Sequence, residues 1–169
     1  MTPLVKRIAA LLYPDERWLR WVLDRLTQLW GRPERLLTSI PFTSTDYYRR
    51  IAPRLNRAFF SFPGLLFPQE LPLWKQTAID WERQSGPSRR VNIDPGYVDG
   101  ARLVLASTKD HGHRIYMGGG VFAEVTLWYC KGQWRAFDYT FPDFRSGLYD
   151  DFLDEVRRDW LLQTKEAHR

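Results

Sequence analysis

The segment from Arg89 to Gly120 holds a high density of residues that can do chemistry. It reads RRVNIDPGYVDGARLVLASTKDHGHRIYMGGG, with the carboxylate of Asp94, the imidazole of His113 and a final run of glycines. Carboxylates and imidazoles serve as general acids, bases and metal ligands, and glycines let backbone N–H groups approach an anion closely. The residue types therefore predict a site in this segment without naming a reaction.

The sequence His111-Gly112-His113 is compatible with two kinds of chemistry. Two imidazoles can bind one divalent metal ion, whereas a single imidazole can transfer protons because its ordinary pKa lies near neutrality. A glycine-interrupted pair without a placed carboxylate is a weak metal signal. The requirement for a divalent metal cofactor is therefore left open by the sequence, and both histidines could equally be loop residues.

Asn92 and Asp94 end a predicted strand, and Pro95 and Gly96 predict a turn directly after it. The two polar side chains share a face of that strand because side chains alternate with a period of two. Strand ends and their loops often carry functional groups, but an Asp before Pro-Gly is also a common turn cap. The sequence leaves Asp94 with either a ligand-binding or a capping role.

Glu124 is a third candidate for chemistry. In the hairpin predicted to join HRIYMG to VFAEVTLWYC, it lies directly opposite Arg114. A cross-strand ion pair of this kind contributes about 0.2–1 kcal/mol to stability. Glu124 could instead act as a base, or as a metal ligand held in place by its neighbour.

Two further segments could recognise anions. Thr108, Lys109 and the Gly118–Gly120 turn offer hydroxyl, ammonium and backbone donors, but no G-x-x-x-x-G-K-[ST] motif occurs, which excludes a P-loop. The segment TDYYRRIAPRLNR at 45–57 interleaves tyrosines with arginines, a pattern that suits a nucleic-acid surface. A solvated basic loop explains the same pattern at least as well.

The composition limits the class of protein. The 169 residues, 44% hydrophobic and 27% charged, predict a single domain over 1–169. One cysteine excludes an intramolecular disulfide and a multi-cysteine zinc site. With neither a signal peptide nor an apolar run of about 18 residues, we expect a soluble cytoplasmic protein with no membrane partner. The net charge of +5 favours a phosphate-bearing partner, although solvated surface arginines would give the same balance.

These candidates must be positioned by the elements that apolar periodicity predicts. The first 97 residues indicate the order β-α-β-β-α-β, which predicts an α+β fold with a ferredoxin-like βαββαβ core. The segments, in that order, are VKRIAALLY, PDERWLRWVLDRLTQLWG, ERLLTSIPF, NRAFFSF, QELPLWKQTAIDWERQSG and RRVNIDPGY. The apolar run at 98–108 fits either a short helix or a buried strand.

The last third of the sequence predicts an antiparallel β-meander that extends this core. A terminal helix, DDFLDEVRRDWLLQ, follows and could cover one side of the meander. The strands are HRIYMG, VFAEVTLWYC and QWRAFDYT, with Met117 paired to Val121 and Cys130 paired to Gln133. Strict alternation then places one set of side chains on a core face: Ile115, Met117, Val121, Ala123, Val125, Leu127, Tyr129 and Ala136.

Four segments together resemble a prokaryotic family catalogued as domain of unknown function 4416: DYY, RRVNIDPGY, ARLVLASTKDHGHRIYMGGGVFAEVTL and YTFPDFRS. An LLYPDE turn near the start extends the resemblance over nearly the whole chain. Members are sometimes labelled GTP-binding proteins, but this chain has neither a Walker A motif nor an N-K-x-D motif, so that label is not carried over. The chain departs from the family pattern at Gly119, often a basic residue, and at Trp128, often an arginine.

The positions that match the family are mostly polar, charged or turn-forming, so the resemblance implies a shared pocket. It would lie between Asn92–Tyr97, Thr108–Arg114, Glu124 and Pro142–Arg145, and would bind, or act on, a phosphate-bearing ligand such as a nucleotide or an RNA-derived compound. The residues expected to supply acid–base or metal-ligand chemistry are Asp94, His113 and Glu124. The residues expected to contact the ligand are Arg90, Asn92, Tyr97, Thr108, Lys109, Arg114, Tyr116, Asp143 and Arg145.

Two non-enzymatic functions remain as alternatives. An RNA-binding module would use the basic segment at 45–57 together with the aromatic and basic face of the meander. A protein-interaction adaptor would use the same aromatic face, with Trp128 and Phe137 as contacts. The sequence does not decide between an enzyme and a binding protein, and it does not define the oligomeric state.

Overall fold

The computed structural model describes residues 3–168, and within them the chain forms an eight-stranded antiparallel sheet packed against helices. The strands are β1 (Lys6–Tyr13), β2 (Arg35–Phe42), β3 (Leu55–Ser61), β4 (Asn92–Val98), β5 (Arg102–Ser107), β6 (Ile115–Gly118), β7 (Val121–Cys130) and β8 (Gln133–Ala136). Their order in the sheet is β2-β3-β1-β4-β5-β7-β6, with β8 also paired to β7, which confirms the α+β class. The helices are α1 (Glu16–Trp30), α2 (Leu71–Gln84), α3 (Pro142–Arg145) and α4 (Asp150–Ala167).

Helices α1 and α2 pack on one face of the sheet and form the first core. Asp15 caps α1, because its carboxylate accepts the N–H of Trp18, and the helix stops where Gly31 adopts a φ of 89°. The buried side of α1 is apolar, whereas the buried side of α2 also includes Lys75 and Glu82. These two charged residues face the region where β4 and β5 separate.

The opposite face of the sheet is covered by α4, which contributes Phe152, Leu153 and Val156 to a second core. Phe59 of β3 and Phe144 of α3 belong to the same cluster. The terminal helix therefore covers this face of the sheet over β1, β2 and β4, and it reaches the meander, which the sequence suggests it covers, at Trp134 of β8. Among residues 3–168, no helix combines the length and the apolar character needed to span a membrane.

Strand β4 contradicts the predicted turn, because Pro95 and Gly96 lie inside the strand and pair with β1. Pairing with β5 begins only at Gly96, which faces Leu105. Pro95 has no N–H to donate, so a ladder between β4 and β5 cannot continue past it, and the two strands diverge. A Cβ atom on Gly96 would lie 2.1 Å from the Val104 carbonyl oxygen, so this last paired position requires glycine.

Strand β7 does not keep the predicted strict alternation. A register shift opposite Leu103 and Val104 divides the expected core face, so that Val121 joins the first core and Leu127 joins the second. Because β7 is covered on both sides, both sets of apolar residues are still accommodated.

The pairing of β7 with its two hairpin neighbours agrees with the sequence except beside the first turn, because Ile115 pairs with Ala123 and Tyr116 with Phe122 as the predicted register requires. Cys130 pairs with Gln133 as predicted, but Gly118 rather than Met117 pairs with Val121. Strand β5 pairs with one edge of β7, at both Phe122 and Trp128. On the opposite edge of β7, Phe122 pairs with β6 and Trp128 pairs with β8, so β6 and β8 lie along the same edge. Ile115 and Met117 are exposed on β6, and their predicted place in the core is wrong.

Candidate functional site

The divergence of β4 and β5 opens a cavity of about 400 Å³. Its walls come from strands β2, β3, β4, β5 and β7, from helices α2 and α3, and from the loops at 43–54 and 108–114. The lining is partly aromatic and strongly charged. Its basic residues are Arg57, Lys75, Arg89, Lys109, His111 and Arg114, and its acidic residues are Glu82, Asp94, Glu124 and Asp143.

Side chains of α2 replace the missing strand partner at Ile93. Lys75 Nζ donates to the Ile93 carbonyl oxygen at 2.9 Å, and Glu82 Oε1 accepts the Ile93 N–H at 2.7 Å. Buried backbone groups need partners, and β5 no longer reaches this point of β4. Lys75 also donates to Asp94 Oδ1 at 3.0 Å, so the same ammonium group links the backbone to the cavity wall.

The two carboxylates near Lys75 are shifted in opposite directions. Burial disfavours ionisation of Asp94, but the Lys75 ammonium outweighs it, with help from Arg57 and Asn92, and lowers the pKa of Asp94 below its ordinary value. For Glu82, burial dominates over the attraction of Lys75 and raises the pKa. Asp94 is therefore held as a carboxylate, whereas the charge on Glu82 is costly.

Glu124 is the centre of a network on β7. Its Oε2 atom accepts from Arg114 Nε at 2.9 Å and lies 2.9 Å from His113 Nε2, and its Oε1 atom accepts from Thr126 at 3.2 Å. The contact confirms the predicted cross-strand placement of Arg114 and Glu124. The His113 ring stacks on Tyr139 with centroids 3.8 Å apart. With both oxygens engaged, Glu124 orients Arg114 and His113.

Arg57 and Asp143 form a buried ion pair on the cavity wall. Arg57 Nη2 donates to Asp143 Oδ2 at 2.8 Å, and the Tyr149 hydroxyl donates to the same oxygen at 2.8 Å. The side chains are only 4% and 3% exposed. Burial would lower the pKa of Arg57, but the Asp143 carboxylate outweighs it and raises this pKa. Among the described residues, Arg57 Nε, Arg57 Nη1 and Asp143 Oδ1 have no hydrogen-bond partner.

The loop at 43–54 forms the outer wall of the cavity. Tyr47 and Tyr48 line the cavity from this loop, and Lys109 Nζ lies 4.0 Å from the centre of the Tyr47 ring. Lys109 is exposed and forms no ion pair with a carboxylate in the described part of the chain. It is therefore the cation of the lining with the greatest freedom to meet an incoming anion.

The family described as Domain of unknown function (DUF4416) matches residues 3–160. The chain belongs to this family. This match confirms the family resemblance seen in the sequence, and the matched range includes every residue that lines the cavity. No curated protein and no solved structure matches the chain. The description of the DUF4416 family names no substrate.

Most of the residues singled out from the sequence meet at this cavity. The lining includes Asn92, Asp94, Thr108, Lys109, Arg114, Glu124 and Asp143. His113 is not part of the lining but joins it through Glu124. These residues therefore converge in space although they come from four separate segments.

Four of the proposed ligand contacts lie outside the lining. The Arg90 N–H donates to Ser85, and Tyr97 packs against the first core. The Tyr116 ring is exposed, and Arg145 donates to the Asp138 carbonyl oxygen at 3.0 Å.

Sequence reasoning missed four charged residues of the cavity lining: Arg57, Lys75, Glu82 and Arg89. Lys75 and Glu82 lie on the same face of α2 as the buried residues Leu71 and Ala78. Two charged residues within an apolar stripe were therefore the signal that could have revealed them. Arg57 interrupts the apolar strand NRAFFSF in the same way, but the sequence places it in a basic surface patch. The structure buries it instead.

The described residues do not support a metal centre. Residues 3–168 contain no group of three or more His, Cys, Asp or Glu side chains placed to hold a metal ion. His111 and His113 have ring centroids 5.7 Å apart, but His113 Nε2 is engaged by Glu124. The donor set seen here does not fit the divalent metal considered from the sequence.

Proposed function

We propose that this DUF4416 protein binds a small phosphate-bearing ligand, a nucleotide or an RNA-derived compound, in the cavity between β4 and β5. A volume of about 400 Å³ lies within the range of small-molecule sites. The observation that carries the proposal is that Arg57 and Asp143, which both line the cavity, keep buried hydrogen-bonding atoms without a partner. Such atoms cost about 1–3 kcal/mol each when buried without a partner, and a bound ligand would recover part of this cost.

The test is a thermal-shift titration of the protein with nucleoside monophosphates. A ligand at about 100 times its dissociation constant stabilises a protein by about 2.7 kcal/mol, which gives a measurable rise in Tm. Thr108 is exposed and lines the cavity, so we expect Thr108→Trp to fill the entrance and abolish the shift. Ser88→Trp places the same indole on an exposed loop residue outside the lining, and we expect it to bind normally.

Two results would reject this proposal. One is the absence of stabilisation by every phosphate compound tested. The other is Thr108→Trp binding as tightly as the wild-type protein, because the ligand would then lie elsewhere.

The geometry favours binding over catalysis. Asp94 and Glu124 are both committed to ion pairs, so neither is free to exchange a proton without breaking a contact. If the protein acts on the ligand, by phosphoester hydrolysis or transfer, His113 held by Glu124 is the candidate acid–base group. Phosphorus NMR of a bound nucleotide, with His113→Gln as the comparison, would detect turnover and assign it.

The two non-enzymatic alternatives receive less support from the structure. In the segment proposed to bind RNA, Arg57 is buried, and Arg49 stays exposed but is paired with Asp46 at 2.8 Å, so fewer free cations remain on this surface. On the face proposed as an adaptor surface, Trp128 is partly exposed and its ring centroid lies 6.5 Å from that of Phe137. Neither surface combines recognition groups as the cavity does.

We also infer that β1 to β4, with α1 and α2, follow a ferredoxin-like plan. The neighbour order β2-β3-β1-β4, the antiparallel pairing of these strands and the packing of both helices on the first core support it. An experimental structure with the two helices on opposite faces of the sheet would contradict this inference.

A further inference from the structure

We propose that the ligand binds with an uncharged planar ring inward and its phosphate at the cavity entrance, so that the ligand class is a nucleoside phosphate. This inference rests on the proposed function and specifies the chemistry at each end of the cavity. It predicts that a sugar phosphate without a base is a poor ligand.

The interior of the cavity is already neutralised. Each lining carboxylate pairs with one cation: Asp94 with Lys75 at 3.0 Å, Glu82 with Arg89 at 3.3 Å, Glu124 with Arg114 at 2.9 Å and Asp143 with Arg57 at 2.8 Å. A phosphate among these pairs would compete with carboxylates for engaged cations and would be repelled by the carboxylates themselves. The interior therefore favours an uncharged group.

The Arg57–Asp143 pair keeps both hydrogen-bond donors and a hydrogen-bond acceptor without partners among the described residues. Arg57 Nε and Nη1 are donors, and Asp143 Oδ1 is an acceptor. Nucleobases present acceptors and donors side by side on one edge, which matches this combination. A phosphate dianion offers acceptors only, so it would leave the Asp143 oxygen without a partner.

Aromatic side chains around Arg57 favour a planar group over a sugar. The Arg57 guanidinium lies 5.2 Å from the centre of the Phe42 ring and 5.4 Å from the centre of the Phe144 ring. Both rings line the cavity together with Tyr48. Aromatic rings stack on the faces of nucleobases, whichever base is present.

The cavity entrance carries the charge suited to the phosphate. Lys109 is exposed, and its ammonium contacts the Tyr47 ring rather than a carboxylate among the described residues. Moving this ammonium from the ring to a phosphate exchanges a cation–π contact for a stronger charge-assisted hydrogen bond. The ligand would therefore span the cavity from Arg57 to Lys109.

Ligand-side comparisons test this orientation without disturbing the fold. Isothermal titration calorimetry would use the four common nucleoside 5′-monophosphates, the four matching nucleosides and ribose 5-phosphate. For the best nucleotide, we expect the nucleoside to bind about tenfold more weakly and ribose 5-phosphate to bind about a hundredfold more weakly. Between about 50 mM and about 300 mM salt, the nucleotide should lose affinity and the nucleoside should not.

A variant of the entrance assigns the phosphate to its cation. We expect Lys109→Gln to weaken nucleotide binding about tenfold and to leave nucleoside binding unchanged. Lys165→Gln, near the end of α4 and outside the cavity lining, should change neither.

The outcomes separate this inference from the proposed function. Ribose 5-phosphate binding as tightly as the nucleotide, or Lys109→Gln weakening nucleoside and nucleotide equally, would overturn the orientation and leave a phosphate-binding cavity standing. The absence of binding by all nine compounds would overturn both.

Discussion

Two buried arginines on opposite faces of the sheet, Arg7 and Arg57, have contrasting surroundings. The Arg7 guanidinium lies 4.3 Å from the centre of the Trp30 ring and 5.3 Å from that of Trp74, within the first core. Burial lowers the pKa of Arg7 to about 10, and Glu70 opposes this shift only in part. Arg57 instead contacts Asp143, and its pKa is raised.

The contrast shows when a buried charge indicates a site. Both arginines keep an Nε atom without a partner among the described residues. Arg57, unlike Arg7, lines the cavity between β4 and β5, together with Asp143, whose Oδ1 atom also lacks a partner. A buried cation packed among aromatic rings is explained by structure alone, whereas leftover donors and acceptors together at a cavity indicate a ligand.

Removing the carboxylate partner of Arg57 should have the largest effect. Asp143→Ala leaves the guanidinium buried without its counter-charge, and we expect the free energy of unfolding to fall by about 3–5 kcal/mol, measured by urea denaturation. The double variant Arg57→Met/Asp143→Leu should recover most of this loss. A single variant as stable as the wild-type protein would remove the basis of the comparison.

The pH dependence of Glu82 should give a smaller effect. Its pKa is raised above the ordinary 4.5, so the folded protein binds more protons than the unfolded chain, and stability falls as Glu82 ionises above that pH. We expect Glu82→Gln to gain stability relative to the wild-type protein as pH rises from 4.5, measured by urea denaturation at successive pH values.

Asp94 supplies the opposite control for Glu82. Its pKa is lowered below the ordinary 3.8, so its charged form stabilises the fold above that pH, and this contribution is lost as pH falls through the folded-state pKa. Asp94→Asn should be less stable than the wild-type protein at neutral pH, with a difference that shrinks in acid. Equal pH profiles for the two variants would contradict the opposite shifts.

Arg7→Met should have the smallest effect. Methionine keeps apolar contact with the rings and removes a buried charge, so the lost cation–π attraction is offset by the relieved desolvation. We expect the free energy of unfolding to change by about 1 kcal/mol or less, with ligand affinity unchanged. A loss as large as that of Asp143→Ala would show that both arginines play the same structural role.

Local patterns in the sequence determined the elements of this protein. Helix α1 forms within the segment PDERWLRWVLDRLTQLWG that apolar periodicity predicts, and the hairpin register placed Arg114 opposite Glu124. These features depend on residues a few positions apart, or on two strands joined by a short turn. Such interactions follow from the helical period of 3.6 and the strand period of two.

The tertiary structure alone decided how the site is built. Arg57 and Asp143 are separated by 86 positions, and Lys75 reaches Ile93 only because β5 leaves β4 at Pro95. The register shift opposite Leu103 also moved half of β7 to the other core. A residue pattern can show that a charge falls in an apolar stripe, but its partner is fixed by which distant strands and helices pack together.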